Sequence, residues 1–181
     1  MHNQLFKNKY RIKSIRLPDW DYSSDGAYYV TMCTQNREYF FGNVINDETR
    51  LSDIGEIIKK YWQDIPTHFK NIKLDEFVVM PDHVHGILII NNDHKQPVEA
   101  IHELPLQKTQ QTRKLRRQML IPKIIGKFKM QTTKLFHEIK NTSEKLWQRD
   151  YFEHIIRNEN ELNRIREYII NNPSKWEINP S

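Results

Sequence analysis

At 181 residues the chain is sized for a single domain, 1–181, with a core of its own. Lys and Arg number 28 against 23 Asp and Glu, a net charge of +5, which favours an acidic partner such as nucleic acid but also suits a mildly basic soluble enzyme. Cys33 is the single cysteine, so no intrachain disulfide can form; residues 1–16 lack the apolar run of a signal peptide; no stretch approaches the roughly 18 apolar residues of a membrane span. A cytoplasmic protein with no membrane partner is the expectation.

Residues 28–34, rich in aromatic and β-branched side chains, predict a first strand. Residues 40–45 predict a short extended piece followed by a turn at 46–48. Asp53, with Glu56 three residues on, has the form of a helix cap; Ile54, Ile57, Ile58, Tyr61, Trp62 and Ile65 then recur at helical spacing until Pro66 closes the segment. Residues 72–79 and 83–90 predict a second and a third strand, with Pro81-Asp82 kinking or bulging the chain between them.

The third strand opens with His83-Val84-His85. Side chains two apart on a strand share a face, so both imidazoles project the same way while Val84 turns into the core. Two neutral imidazoles on one face suit Mn, Zn, Fe or Ni better than Mg. On spacing alone a strand end with two locally hydrogen-bonded histidines fits as well as a metal pair.

Periodicity vanishes over 91–118, a stretch with Pro97, Pro105 and the basic cluster Arg113-Lys114-Leu115-Arg116-Arg117, read as a long exposed loop or insertion. Residues 121–140 predict the clearest amphipathic helix, with Pro122 in its first turn and Lys123, Lys127 and Lys134 along one flank. A strand over 151–156 and a last helix over 161–172, stopped by Pro173, complete the order. On that helix Leu162, Ile165 and Ile169 form the buried stripe, Tyr168 sits at its edge, and Asn172 lies one turn further on nearly the same face. The fold class expected is α+β: a central antiparallel sheet, ferredoxin- or RRM-like, flanked by helices.

Four segments together carry a family resemblance: Met80-Pro81-Asp82-His83-Val84-His85, Ile124-Ile125-Gly126-Lys127-Phe128-Lys129, the block from Trp147 to Asn158, and Tyr168-Ile169-Ile170-Asn171-Asn172-Pro173. In this order the chain resembles the HUH single-strand nucleases, within them the IS200-like one-tyrosine transposases, and most closely the REP-associated tyrosine transposases.

The resemblance implies a metal-dependent enzyme, with Mg or Mn, that cleaves and rejoins single-stranded DNA at hairpin-forming sequences through a 5′-phosphotyrosine link. It places His83 and His85 on the metal and makes Tyr168 the nucleophile. Asn172 stands where relatives supply a third polar ligand, often Gln. Lys123, Lys127, Lys134, Arg113, Arg116 and Arg117 become candidate contacts to DNA, and His154 and Tyr151 candidate linings of the site. Trp147 is read first as core. The partner implied is single-stranded or hairpin DNA, bound by a monomer or a homodimer. Two alternatives stand beside this reading: a phosphodiesterase that uses water, and a hairpin-binding module that no longer cleaves.

Overall fold

The structure, a computed structural model, describes residues 20–92 and 118–176. Its centre is a four-stranded antiparallel sheet flanked by helices, the α+β class expected. Strand β1 (Gly26–Cys33) alternates cleanly: Tyr28, Val30 and Met32 are fully buried on one face, while Tyr29, Thr31 and Cys33 lie on the other. Strands β4 (Ile72–Met80) and β5 (His83–Ile90) form a hairpin, and β6 (Phe152–Ile156) closes the order β4-β5-β1-β6. The short extended piece is instead a second hairpin, β2 (Gly42–Ile45) and β3 (Glu48–Leu51). Asn46 and Asp47, at φ 51° and 62°, supply the two left-handed residues of its turn.

The irregularity expected at Pro81-Asp82 lies elsewhere. Met80 pairs with His83 as the last rung of the ladder, so Pro81 and Asp82 form the two-residue connection, where a proline removes no ladder hydrogen bond. The bulge falls between Leu74 and Phe77, around Asp75.

Helix α1 (Asp53–Gln63) is capped by Ser52 rather than Asp53. Ser52 Oγ accepts from the Gly55 N–H at 3.1 Å and donates to the Phe40 carbonyl, and this leaves Asp53 and Glu56 in the first turn, where the helix dipole favours them. Pro66 does not end the helical region; it lies at the start of a further turn, α2 (Ile65–His68), where its missing N–H is no loss. Helix α3 (Leu120–Lys140) buries Ile121, Ile124, Ile125, Phe128 and Phe136 and ends on Asn141 in the left-handed region. Helix α4 (Glu159–Ile170) starts two residues earlier than expected because Asn158 caps it, accepting from the Glu161 N–H at 2.9 Å.

The two faces of the sheet carry different layers. Tyr28, Val30, Val84 and Leu88 join α1 and α3 in the main core. On the opposite face Ile87, Ile89, Val78 and Ile156 pack against Leu162, Ile165 and Ile169 of α4, the stripe foreseen. Strand β5 is covered from both sides, which is why nearly all of it is buried. The connection to α3 leaves and returns at one place: Asn92 donates to the Ser23 carbonyl and the Asp25 carboxylate, and Leu120 N–H donates to Ser23 Oγ.

Gly86 shows how tightly β5 sits on the core. A Cβ there would lie 2.3 Å from Cζ2 of Trp62, whose ring is wedged against Phe77 and Phe128. Gly86→Ala is therefore expected to lower unfolding free energy by about 1–3 kcal/mol, the scale of overpacking a filled core. An unchanged urea midpoint would mean that Trp62 can withdraw.

A bidentate ion pair ties α4 to β4. Arg166 donates from Nε and Nη2 to the two oxygens of Asp75, at 2.8 and 2.7 Å, reaching the carboxylate that the bulge pushes out. The Arg166 hydrogen bonds hold the Asp75 carboxyl below its usual value. A depressed carboxyl stabilises the fold above the ordinary carboxylate pKa, and the contribution is lost as pH falls through the folded value. Asp75→Asn should thus be less stable than the wild type at pH 7, and the gap should close in acid; urea midpoints at both ends check this.

Candidate active site

The alternation of β5 puts His83 and His85 on the α4 face, with ring centroids 4.5 Å apart. Both are about 5 % exposed. Each has its Nδ1 tied to a neighbour. His83 Nδ1 lies 2.5 Å from Asp82 Oδ1, and Asp82 Oδ2 pairs at 2.6 Å with Arg37 Nε. Arg37 reaches in from a turn where it and Asn36 have φ 61° and 54°, and its Nη1 also donates to Cys33 Sγ. His85 Nδ1 lies 2.7 Å from Tyr29 Oη and 2.8 Å from Thr31 Oγ1, because β1 pairs Thr31 directly with His85.

The Asp82 carboxylate, an acceptor only, calls for the N–H of His83 on Nδ1 and leaves its Nε2 as the lone-pair donor. At His85 the Tyr29 and Thr31 hydroxyls, which can each donate or accept, fix the orientation of the ring, and with the proton on Nδ1 its Nε2 is free to ligate. Burial, then His83 and Arg37 nearby, push the His85 imidazole down to about 3, so it stays neutral across the physiological range. Burial also raises the Tyr29 phenol well above its usual range, and Tyr29 remains protonated.

Helix α4 carries Tyr168 over this pair. Its hydroxyl lies 3.4 Å from His85 Nε2, and its ring meets those of His85 and Tyr29 edge-on. The side of the ring away from the stripe is open, with the residue 45 % exposed. The helix stops at Ile170, so Asn172 lies beyond it, at the start of the following turn, rather than on its face. Asn172 is nonetheless buried and lines the same cavity of about 350 Å³ as His83, His85 and Tyr168. The donors available to a divalent ion are thus two imidazole Nε2 atoms and a carboxamide. Among the described residues no three His, Cys, Asp or Glu side chains converge as a metal site. An ion at this pair would draw its other ligands from Asn172, water or substrate, and imidazoles tied back at Nδ1 suit that arrangement.

Other candidates lie apart. Lys123, Lys127 and Lys134 are on α3, behind the sheet; Lys127 sits over the Phe69 ring and Lys134 pairs with Glu138. Tyr151 packs with the main core on that far face, beneath Lys129, and does not line the site. His154, on β6 opposite Tyr29, lies beside the site with Nε2 2.8 Å from Glu161 Oε1. Trp147 is core, its indole N–H donating to Thr132. Arg113, Arg116 and Arg117 lie outside the described residues. Sequence reasoning missed Arg37, Tyr29, Thr31 and Trp176. The pairing of Thr31 with His85 would have found two of them, had the strand order been known.

No family model matches the chain. Among the solved structures it is similar to are a candidate transposase from Deinococcus radiodurans, at 18 % identity and TM-score 0.46 over 82 % of this chain and 91 % of that one, and a REP-associated tyrosine transposase bound to a REP hairpin, at 16 % identity and TM-score 0.47 over 92 % and 73 %. Both are distant likenesses. Much nearer is an uncharacterized protein of Haemophilus influenzae, 39 % identical over 166 residues that make up 91 % of this chain and 89 % of that protein. At that identity and coverage, the chain belongs to the same family as the Haemophilus influenzae protein.

Proposed function

We propose that this protein is a metal-dependent transposase-type endonuclease that cleaves and rejoins single-stranded DNA at hairpin-forming sequences through a 5′-phosphotyrosine intermediate. One observation carries the reading: the Tyr168 hydroxyl stands 3.4 Å from Nε2 of a histidine whose other nitrogen is tied back to the sheet. A structural tyrosine at the edge of a helix stripe has no need of two aligned imidazoles, and a binding module has no need of all three residues. The motif order around His83-Val84-His85 and Tyr168 supports the same reading.

His83 and His85, with Asn172 beside them, would hold a divalent ion, Mg or Mn. Held by those residues, it would supply Lewis-acid polarisation of the scissile phosphate and charge stabilisation for the departing oxygen. Tyr168 attacks phosphorus in line as its phenol proton passes to solvent water; the bond to the 3′ oxygen breaks, and that oxygen takes a proton from water, leaving a free 3′-OH and the 5′-phosphate on Tyr168. A phosphotyrosine keeps the energy of the broken ester, so a second 3′-OH can reverse the step and join a different end. Tyr29 and Thr31 hold the His85 ring in place throughout, and Asp82 and Arg37 hold His83.

Labelled single strands bearing hairpins, incubated with the protein and Mn or Mg, should yield a protein–DNA adduct that survives denaturing electrophoresis. Metal-dependent cleavage with no adduct would transfer the attack to water, and hairpin binding with no cleavage would leave only a binding module.

A further inference from the structure

A second hollow adjoins the site on the side away from His83. Its volume is about 380 Å³, at the small end of the roughly 300–1,000 Å³ usual for ligand pockets. Tyr29 and Tyr168 are its wall toward the histidines, Ile165 and Phe152 add apolar surface, and Arg164 is exposed at its edge. Phe152 is 36 % exposed, unusual for a large apolar side chain on a strand, and meets the Tyr29 ring edge-on at 6.0 Å. No part of the proposed reaction uses Phe152, His154, Glu161 or Arg164.

We propose that this hollow binds one nucleobase of the single strand, next to the phosphate held over His83, His85 and Tyr168. The inference rests on the reaction proposed above and names how its substrate is gripped. Three features select a base rather than a phosphate or a free anion. The surface is aromatic and aliphatic, which suits the flat face of a base. The Glu161 carboxylate stands in the wall, its oxygens accepting from His154 Nε2 and the Arg157 N–H, and its charge repels a phosphate entering the hollow. Arg164 at the edge then meets the backbone phosphate of the same nucleotide. Opposite, across the histidines, Trp176 lies 5.8 Å from the His83 ring and itself meets Tyr39, so aromatic surface flanks the reacting phosphate on both sides.

The test uses 2-aminopurine, a base whose fluorescence is quenched by stacking, placed at successive positions of a hairpin's single-stranded tail. Titration with full-length Tyr168→Phe protein, which keeps the ring wall and cannot form the adduct, should change the fluorescence at one position. Adding Phe152→Ala should abolish that change and weaken binding about tenfold, the loss ordinary for one stacked base. Adding Arg164→Ala, which removes an exposed side chain, should lower the salt dependence of binding by about one ion. Unfolding midpoints establish that the variants are folded; if Phe152→Ala is not, Phe152→Leu and Arg164→Ala carry the test. Unchanged affinity and fluorescence in these variants would overturn the pocket even if cleavage proceeds. A base signal abolished by these substitutions in a protein that never cleaves would sustain the pocket and defeat the reaction instead.

Discussion

Tyr168→Phe is expected to abolish the covalent adduct and to lower single-strand cleavage by roughly 10⁴-fold or more, the scale on which loss of a covalent nucleophile acts. The change removes one oxygen and little else. The ring keeps its edge-on contacts with His85 and Tyr29, and the side chain is half-exposed, so neither α4 nor the sheet depends on the hydroxyl. Tyr151→Phe is the control, because Tyr151 packs on the far face of the sheet and should form the adduct at full rate. Cleavage at an undiminished rate in Tyr168→Phe would defeat the assignment, and an adduct lost only in Tyr151→Phe would move the nucleophile.

The second large effect is expected at Asp82. With His83 ligating a metal through Nε2, the Asp82 carboxylate on Nδ1 orients the ring, while Arg37 holds the carboxylate in turn. Asp82→Asn should weaken Mn binding, followed by calorimetric titration, about 10–100-fold, the usual loss for a residue one step removed from a metal. His83→Ala and His85→Ala should lose metal-dependent cleavage altogether. Because burial holds His85 neutral down to about pH 3, its own protonation should not limit Mn binding between pH 5 and 8. Mn affinity equal in Asp82→Asn and the wild type would remove the relay, and equal affinity in His83→Ala would remove the metal site itself.

The elements with a strong repeat were legible. Alternation in β1 and β5, the apolar stripe of α3 and the Leu162–Ile165–Ile169 face of α4 all stand where periodicity puts them. Boundaries were less so. Ser52 displaces Asp53 as the cap because its short hydroxyl also reaches the Phe40 carbonyl, a contact made by the preceding chain and invisible in local spacing. Of the β2–β3 hairpin only the first strand and the turn were legible, because each strand is only 4 residues long and β3 alternates exposed Glu48 and Arg50 with half-buried Thr49 and Leu51.

By itself the sequence determined that His83 and His85 share a face, since the strand repeat is local, and that Tyr168 stands at the edge of an apolar helix stripe. Only the tertiary structure decided that the two meet. Helix α4 covers the histidine face while α3, with its lysine flank, covers the other, and a helical wheel cannot say which side of a sheet its apolar stripe will occupy. The same holds for Arg37, Thr31 and Tyr29, which reach the histidines through strand order and a left-handed turn. Their hydrogen bonds join residues far apart in the chain, and no spacing rule records such pairs.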